Sequence, residues 1–291
     1  MSNGAVKQLL VISGKGGTGK TTLVSSFASL AKVKVLSDCD VDAADLHLIL
    51  KPNPKVEEEF SGGKIAVKND ELCTDCGICR EYCRYDAIDE NFNIDEFSCE
   101  GCGVCEYVCP EDAITMEDVL SGYSTESETA YGDMAHGELV AGEETSGKLV
   151  TNIKQKAQRI AEETGVDLII IDGSPGIGCP VIASLADVDI ALLVAEPTLS
   201  GLNDLERVIE LVNHFGIQAH IVINKYDINE AITARIEELA NKSNLPISGK
   251  IPYDPTVTDA MIHEKSIVEY SSGQASQEIK DIWTKLEKSL S

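Results

Sequence analysis

The stretch GKGGTGKT, Gly14 to Thr21, lies between the apolar run QLLVI and TTLVSSFASLAK, whose small and apolar residues recur at helical spacing. It fits the pattern G-x-x-x-x-G-K-[ST]. Its glycines, Gly14, Gly16, Gly17 and Gly19, let consecutive backbone N–H groups turn inward around phosphate oxygens. The helix that follows adds the positive end of its dipole. Such a loop works between a buried strand and the helix after it, so it commits the chain to a layered α/β fold. Lys20 is placed to reach the outer phosphates and Thr21 to ligate Mg²⁺, with Lys15, Thr18 and Thr22 completing the cradle.

The rest of the chain repeats this alternation. VKVLSDCDVD, VDLIIIDGSPG, VDIALLVAEP and QAHIVINKYD are apolar runs of strand length, each ending at a polar turn. VTNIKQKAQRIAEET, LNDLERVIELVNHF and NEAITARIEELANKS lie between or after them with helical periodicity. The expected class is a doubly wound, mainly parallel sheet with ligands at the carboxyl ends of its strands. Two such ends are acidic. SDCDVD places Asp38, Asp40 and Asp42 after the second strand, and IIIDGSPG places Asp172 after another, where a Mg²⁺ shell needs carboxylates. The C-terminal IKDIWTKLEKSL puts Ile279, Ile282, Trp283, Leu286 and Leu290 on one helical face, expected to pack on its own domain.

Between about Gly62 and Asp118 the alternation stops and cysteines take over. Cys73, Cys76, Cys79 and Cys83 are spaced 3, 3 and 4, and Cys99, Cys102, Cys105 and Cys109 repeat that spacing. This is the run that holds paired [4Fe-4S] clusters, in which three cysteines wrap one cube and the displaced fourth ligates the other. One cluster is then expected on Cys73, Cys76, Cys79 and Cys109, the other on Cys99, Cys102, Cys105 and Cys83. Zinc is the competing reading, but tetrahedral zinc sites use two CxxC pairs. Pro110 follows the second run, whereas Arg84 stands in that place after the first.

The expected domains are residues 1–61 and 119–291 as the two parts of one nucleotide-binding domain. Residues 62–118 form a small α+β insert. The polar segment up to about 147 is either a linker or a hairpin returning the chain to the sheet.

Formal net charge is −25, and residues 61–147 carry 21 acidic against 4 basic side chains. That repels nucleic acid and anionic lipid, so neither is an expected partner, and a basic redox partner suits the acidic middle third. With no run of about 18 apolar residues and an N-terminus broken early by glycine, the expected location is cytoplasmic. Ten cysteines there point to metal ligation rather than disulfides. Cys39 and Cys179 lie outside the two runs, either as small packed residues or as a thiol pair. His136 with Met134 is a weaker soft-metal candidate.

The lysine at the start of KGGTGK, with AEPTLSGLNDLERV and IIIDGSPGIGCPVIASL, resembles the MinD/ParA/Mrp-like ATPases, among them the nitrogenase iron protein. The resemblance covers most of the chain outside the insert. It implies an ATP-sandwiched homodimer in which Lys15 reaches the nucleotide of the facing subunit. It further implies Lys15, Lys20 and Asp40 as catalytic residues, with Asp40 activating water, and Asp38 and Asp172 with Thr21 around Mg²⁺. Gly176 becomes a switch, and Asn224 and Pro252 become adenine contacts. Asn224–Asp227, NKYD, also matches the guanine-reading N-K-x-D, so GTP is the alternative nucleotide. Two functions follow as expectations: ATP-gated electron transfer through the clusters to a redox partner, or maturation of a client metalloprotein's metal or iron–sulfur cofactor. A spatial organiser of the ParA kind, which needs a DNA or membrane surface, fits the charge worst.

Overall fold

The structure, a computed structural model, describes residues 6–140, 143 and 146–290. Residues 1–5, part of the N-terminal reading, and 141, 142, 144 and 145, the end of the expected linker, lie outside the described residues, as does 291.

The chain runs β1 (Lys7–Ser13), α1 (Lys20–Leu30), β2 (Val35–Asp38), α2 (Leu46–Leu50), β3 (Asn53–Lys68), α3 (Ile78–Tyr82), α4 (Val104–Val108), β4 (Ile114–Thr129), β5 (Gly132–Leu139), α5 (Ser146–Thr164), β6 (Leu168–Pro175) and α6 (Cys179–Leu185). It continues with β7 (Ile190–Ala195), α7 (Leu199–Phe215), β8 (Gln218–Asn224), a 3₁₀ turn at Tyr226–Ile228, α8 (Glu230–Lys242), β9 (Ile247–Ile251), α9 (Thr256–Ile262), α10 (Ile267–Tyr270) and α11 (Gln274–Leu290).

Two compact units divide the chain. The first comprises Met1–Glu58, Ser124–Glu138 and Ser146–Ser291, the second Glu59–Tyr123 and Leu139–Thr145. Strands β3 and β4 contribute residues to both.

The nine strands are ordered β3-β4-β5-β2-β6-β1-β7-β8-β9. β2, β6, β1, β7, β8 and β9 are parallel, and β2 pairs parallel with β5. In β1 only Lys7 is exposed, and every residue of β7 is buried. Alternate strand residues face opposite ways, so unbroken burial means both faces of the central sheet are covered. On one face Leu9 and Val11 pack with Phe27 and Leu23 of α1 and Ile279, Ile282, Trp283 and Leu286 of α11. The Phe27 and Trp283 rings lie 5.3 Å apart, so α11 is held by core packing. Each such buried side chain contributes about 1.5–3 kcal/mol.

The polar segment after Asp118 is the far part of β4, a turn at Ala130–Tyr131 and β5, so its described residues form a hairpin. In the second unit, β3 and β4 run antiparallel. Asn69 N–H donates to the Ala113 carbonyl at 2.8 Å, and Gly62 N–H donates to Ser121 Oγ at 3.1 Å, so numbers fall on one strand as they rise on the other. The two cysteine runs fold alike. α3 and α4 each start after a left-handed glycine, Gly77 at φ 78 and Gly103 at φ 72. Each ends into an extended cysteine, Cys83 or Cys109, at φ −72. The repeat in sequence is thus a repeat in conformation.

Candidate functional site

The phosphate loop joins β1 to α1 with Gly17 and Gly19 at φ 77 and 97, values open to glycine and costly for other residues. A β-carbon at Gly14 would stand 2.4 Å from Asp204 Cβ, and one at Gly19 would stand 2.4 Å from Asn224 Nδ2. The loop is therefore wedged between α7 and the end of β8. Asn224 Nδ2 donates to the Thr18 carbonyl at 2.7 Å, and Lys225 Nζ reaches the Gly17 carbonyl at 3.5 Å. Ser13 Oγ donates to the Lys15 carbonyl at 2.7 Å. Lys15 Nζ lies 3.4 Å from the hydroxyls of both Thr198 and Ser200, at the start of α7. Thr22 lies within the first turn of α1, beside Thr21.

Behind the loop the acidic strand ends converge. Asp38 and Asp172 are paired in register across β2 and β6. Both are buried, as is Lys20, whose Nζ lies 3.7 Å from Asp40 Oδ2. Burial pushes the Asp172 carboxyl up to about 7, against the pull of the Lys20 charge and the Thr21 hydroxyl. Burial also holds Asp38 well above the usual carboxylate range, and the neighbouring Asp172 raises it further. Asp40 is raised by burial, partly offset by Lys20. Thr18 Oγ1, Asp40 Oδ1 and Asp172 Oδ1 are buried without a hydrogen-bond partner. Buried polar atoms are normally satisfied, so acceptors left bare around one lysine fit a site whose missing partner is a cation with its anionic ligand. Asp42 is exposed.

The N-K-x-D stretch has a structural duty. Asp227 Oδ1 accepts from the Tyr253 N–H at 2.7 Å, which ties the turn after β8 to the loop carrying Pro252. Asn224 braces the phosphate loop. Thr198, Ser200 and Asp204 were not assigned from the sequence. The AEPTLSG stretch carried the only signal, and nothing in it announces that its hydroxyls meet a lysine 183 and 185 positions earlier.

Among the described residues of the second unit, two pockets are lined by cysteines. One is lined by Cys73, Cys76, Cys79 and Cys109 with Lys68, Phe92 and Ile114. The other is lined by Cys83, Cys99, Cys102 and Cys105 with Ala66, Ile88, Ile94 and Met116. Each thus takes three thiols from one run and the fourth from the other. Burial pushes the Cys79 and Cys105 thiols up, and Ala113 N–H points to Cys109 Sγ at 3.3 Å. Among the described residues, no group of three or more His, Cys, Asp or Glu is placed to hold a single metal ion.

The remaining candidates have ordinary partners. Cys39 is buried, its thiol pushed up to about 12 by burial with Ser37 Oγ at 3.4 Å, while Cys179 is an exposed free thiol on α6. His136 Nε2 pairs with Ser127 Oγ at 2.8 Å, and Met134 is buried in the core. Among the described residues, no helix is long and apolar enough to cross a membrane.

A glycine loop wedged at the carboxyl edge of a parallel sheet, presenting a lysine to bare buried carboxylates, defines a phosphate-loop nucleotide-binding protein. The chain belongs to the CobQ/CobB/MinD/ParA nucleotide-binding family, whose domain matches residues 9–267. It is 38% identical over 290 residues to the uncharacterized protein MJ0578 of Methanocaldococcus jannaschii, covering 98% of both chains. Among solved structures it is similar to the cell division ATPase MinD of Pyrococcus furiosus, with 19% identity, a TM-score of 0.59, and 97% and 98% of the two chains covered. It is equally similar to the septum site-determining protein MinD of Pyrococcus horikoshii in complex with Mg-ADP, with 16% identity, a TM-score of 0.59 and 97% and 96% covered. At that identity the two structures speak for the fold.

Proposed function

We propose that this chain is an ATPase that binds and hydrolyses Mg-ATP as a homodimer, and that its second unit carries two [4Fe-4S] clusters through which electrons pass under nucleotide control. The observation that carries the cluster reading is the crossed lining of the two pockets. Crossed ligation is the pattern of two-cluster ferredoxin runs, whose fourth cysteine ligates the other cluster, whereas tetrahedral zinc sites typically draw on CxxC pairs. The thiols fit the group: four in each pocket, otherwise walled mainly by small and apolar side chains.

In the first unit Lys20 and the loop N–H groups neutralise phosphate charge. Thr21 and the buried pair Asp38 and Asp172 hold Mg²⁺ around its waters. Asp40 keeps one oxygen near Lys20 and the other bare, which suits a carboxylate that orients water and accepts its proton. Lys15, loosely held by two hydroxyls, is free to exchange them for the nucleotide of a second copy. Asn224 and Pro252 border the base. The Mg-ADP bound by the Pyrococcus horikoshii MinD supports adenine over guanine, as does the engagement of Asp227 by Tyr253. In the second unit the cysteine thiolates bind and insulate the clusters, which supply one-electron transfer when present. The acidic surface suits a basic electron-carrying partner, and the fully exposed Phe97 and Tyr107 add apolar contact area.

The test is anaerobic purification followed by iron, acid-labile sulfide and zinc analysis, Mössbauer spectroscopy and an ATPase assay. Two four-iron clusters per chain with Mg-ATP hydrolysis support the reading. Zinc without labile sulfide overturns it.

A further inference from the structure

The two cysteine pockets share one wall, built by the same two strands. Because β3 and β4 run antiparallel with Asn69 beside Ala113, Ala66 and Met116 belong to one rung of the ladder. Lys68 and Ile114 belong to the next rung on the same face. The Ala66–Met116 rung lines the pocket of Cys83, Cys99, Cys102 and Cys105. The Lys68–Ile114 rung lines the pocket of Cys73, Cys76, Cys79 and Cys109. The two walls thus match in position and differ in charge, a methyl group against an ammonium stem.

The Lys68 side chain is mostly covered. It is 13% exposed, while Asp70, its ion-pair partner at 2.9 Å, is 84% exposed and does not line the pocket. The other charged residues lining the pockets, Asp75 and Glu111 on the Lys68 side and Glu100 on the other, are exposed. Water screens those exposed carboxylates, whereas the Lys68 side chain that lines its pocket is mostly covered. Charge in the surroundings is one of the terms that set the potential of a thiolate-bound cluster. A nearby cation favours the form with one more electron.

We infer that Lys68 makes the two pockets electrically unequal, so that the cluster on Cys73, Cys76, Cys79 and Cys109 has the less negative potential and takes the first electron. This rests on the two-cluster reading above. It gives electron flow a direction within the second unit: an electron delivered by a low-potential donor comes to rest on the Lys68 side.

The experiment is an anaerobic titration of the full chain with dithionite as reductant, followed by EPR, after iron and sulfide analysis has counted the clusters. The wild type should reduce in two one-electron waves. Lys68→Met should lower the less negative wave toward the other and leave the more negative wave in place. Lys68→Arg should restore the separation. Asp70→Asn, at an exposed side chain, should move the same wave the opposite way and keeps the test informative if Lys68→Met loads poorly. In Cys102→Ala, which disrupts the opposite pocket, the surviving wave should be the less negative one. A wild-type chain without clusters overturns the two-cluster reading and this inference together. Clusters present, with both waves unmoved or moved equally by Lys68→Met, overturn this inference alone.

Discussion

Asp38 and Asp172 are register partners on the adjacent parallel strands β2 and β6, both buried, with Asp172 Oδ1 lacking any hydrogen-bond partner. Two buried carboxyls so placed are a liability to the empty fold, and in the proposed reading a divalent cation would offset it. Burial pushes Asp172 up to about 7 and Asp38 well above its ordinary range. The native state thus retains protons that the unfolded chain loses near pH 4. Where the native state binds more protons, stability falls as pH rises. The contribution is whole below about pH 4 and is lost as the pH climbs through about 7. In urea unfolding without metal, Asp172→Asn should gain on the wild type between pH 4 and 7 and hold a constant lead above. Adding Mg-nucleotide should stabilise the wild type by mass action and leave the variant unchanged.

Lys20 is buried against Asp40 and is the loop's lysine nearest the acids. Lys20→Ala removes the charge-assisted bonds to phosphate, each about 1.5–3 kcal/mol. Nucleotide affinity measured by calorimetry should fall by at least about tenfold, while iron and sulfide content stays at the wild-type level. Loss of iron in this variant would mean that the substitution damages the second unit.

Asp227 carries a backbone duty in a stretch whose match to the guanine-reading N-K-x-D makes GTP the alternative nucleotide. Asp227→Ala releases the Tyr253 N–H and loosens the loop bearing Pro252. Binding of ATP and of GTP should weaken together, with their ratio unchanged. A selective loss of GTP binding would return the stretch to its guanine-reading role.

Gly101 lies between Cys99 and Cys102 at φ 61, and a β-carbon there would meet the Lys64 carbonyl oxygen at 2.1 Å. Backbone cannot yield as a side-chain tip can, and the positive φ adds strain. Gly101→Ala should displace one pocket and spare the other. Iron and labile sulfide should fall by about half if, as proposed, each pocket holds one four-iron cluster. Full retention would show that the loop adapts.

The strands that read clearly from the sequence, β1, β2, β6, β7 and β8, are apolar because both faces are buried. The outer strands were not legible for a physical reason. Beyond Ile114, the buried positions of β4 are filled by Ser121, Gly122, Ser124, Thr125 and Ser127, and the early part of β3 is exposed, so neither shows sustained apolar alternation. A hairpin therefore stayed an alternative to a linker. The second compact unit begins at Glu59 and reaches Tyr123, then resumes at Leu139, because β3 and β4 run past the points where composition changes. The phosphate loop and the two cysteine runs were readable since each is contiguous. The partners of Lys15, the tie from Asp227 to Tyr253 and the place of Lys68 in a pocket wall were not, since each depends on a contact or rung between separate segments.

In the proposed function nucleotide and clusters are linked in one chain. The most direct measurement is the midpoint potential of the clusters, by anaerobic EPR-monitored titration with and without Mg-ATP, in the wild type and in Lys20→Ala. Such a link predicts potentials that shift when Mg-ATP is added to the wild type and stay fixed in Lys20→Ala. Identical potentials in the wild type with and without Mg-ATP, at a concentration shown to saturate the site, would contradict it.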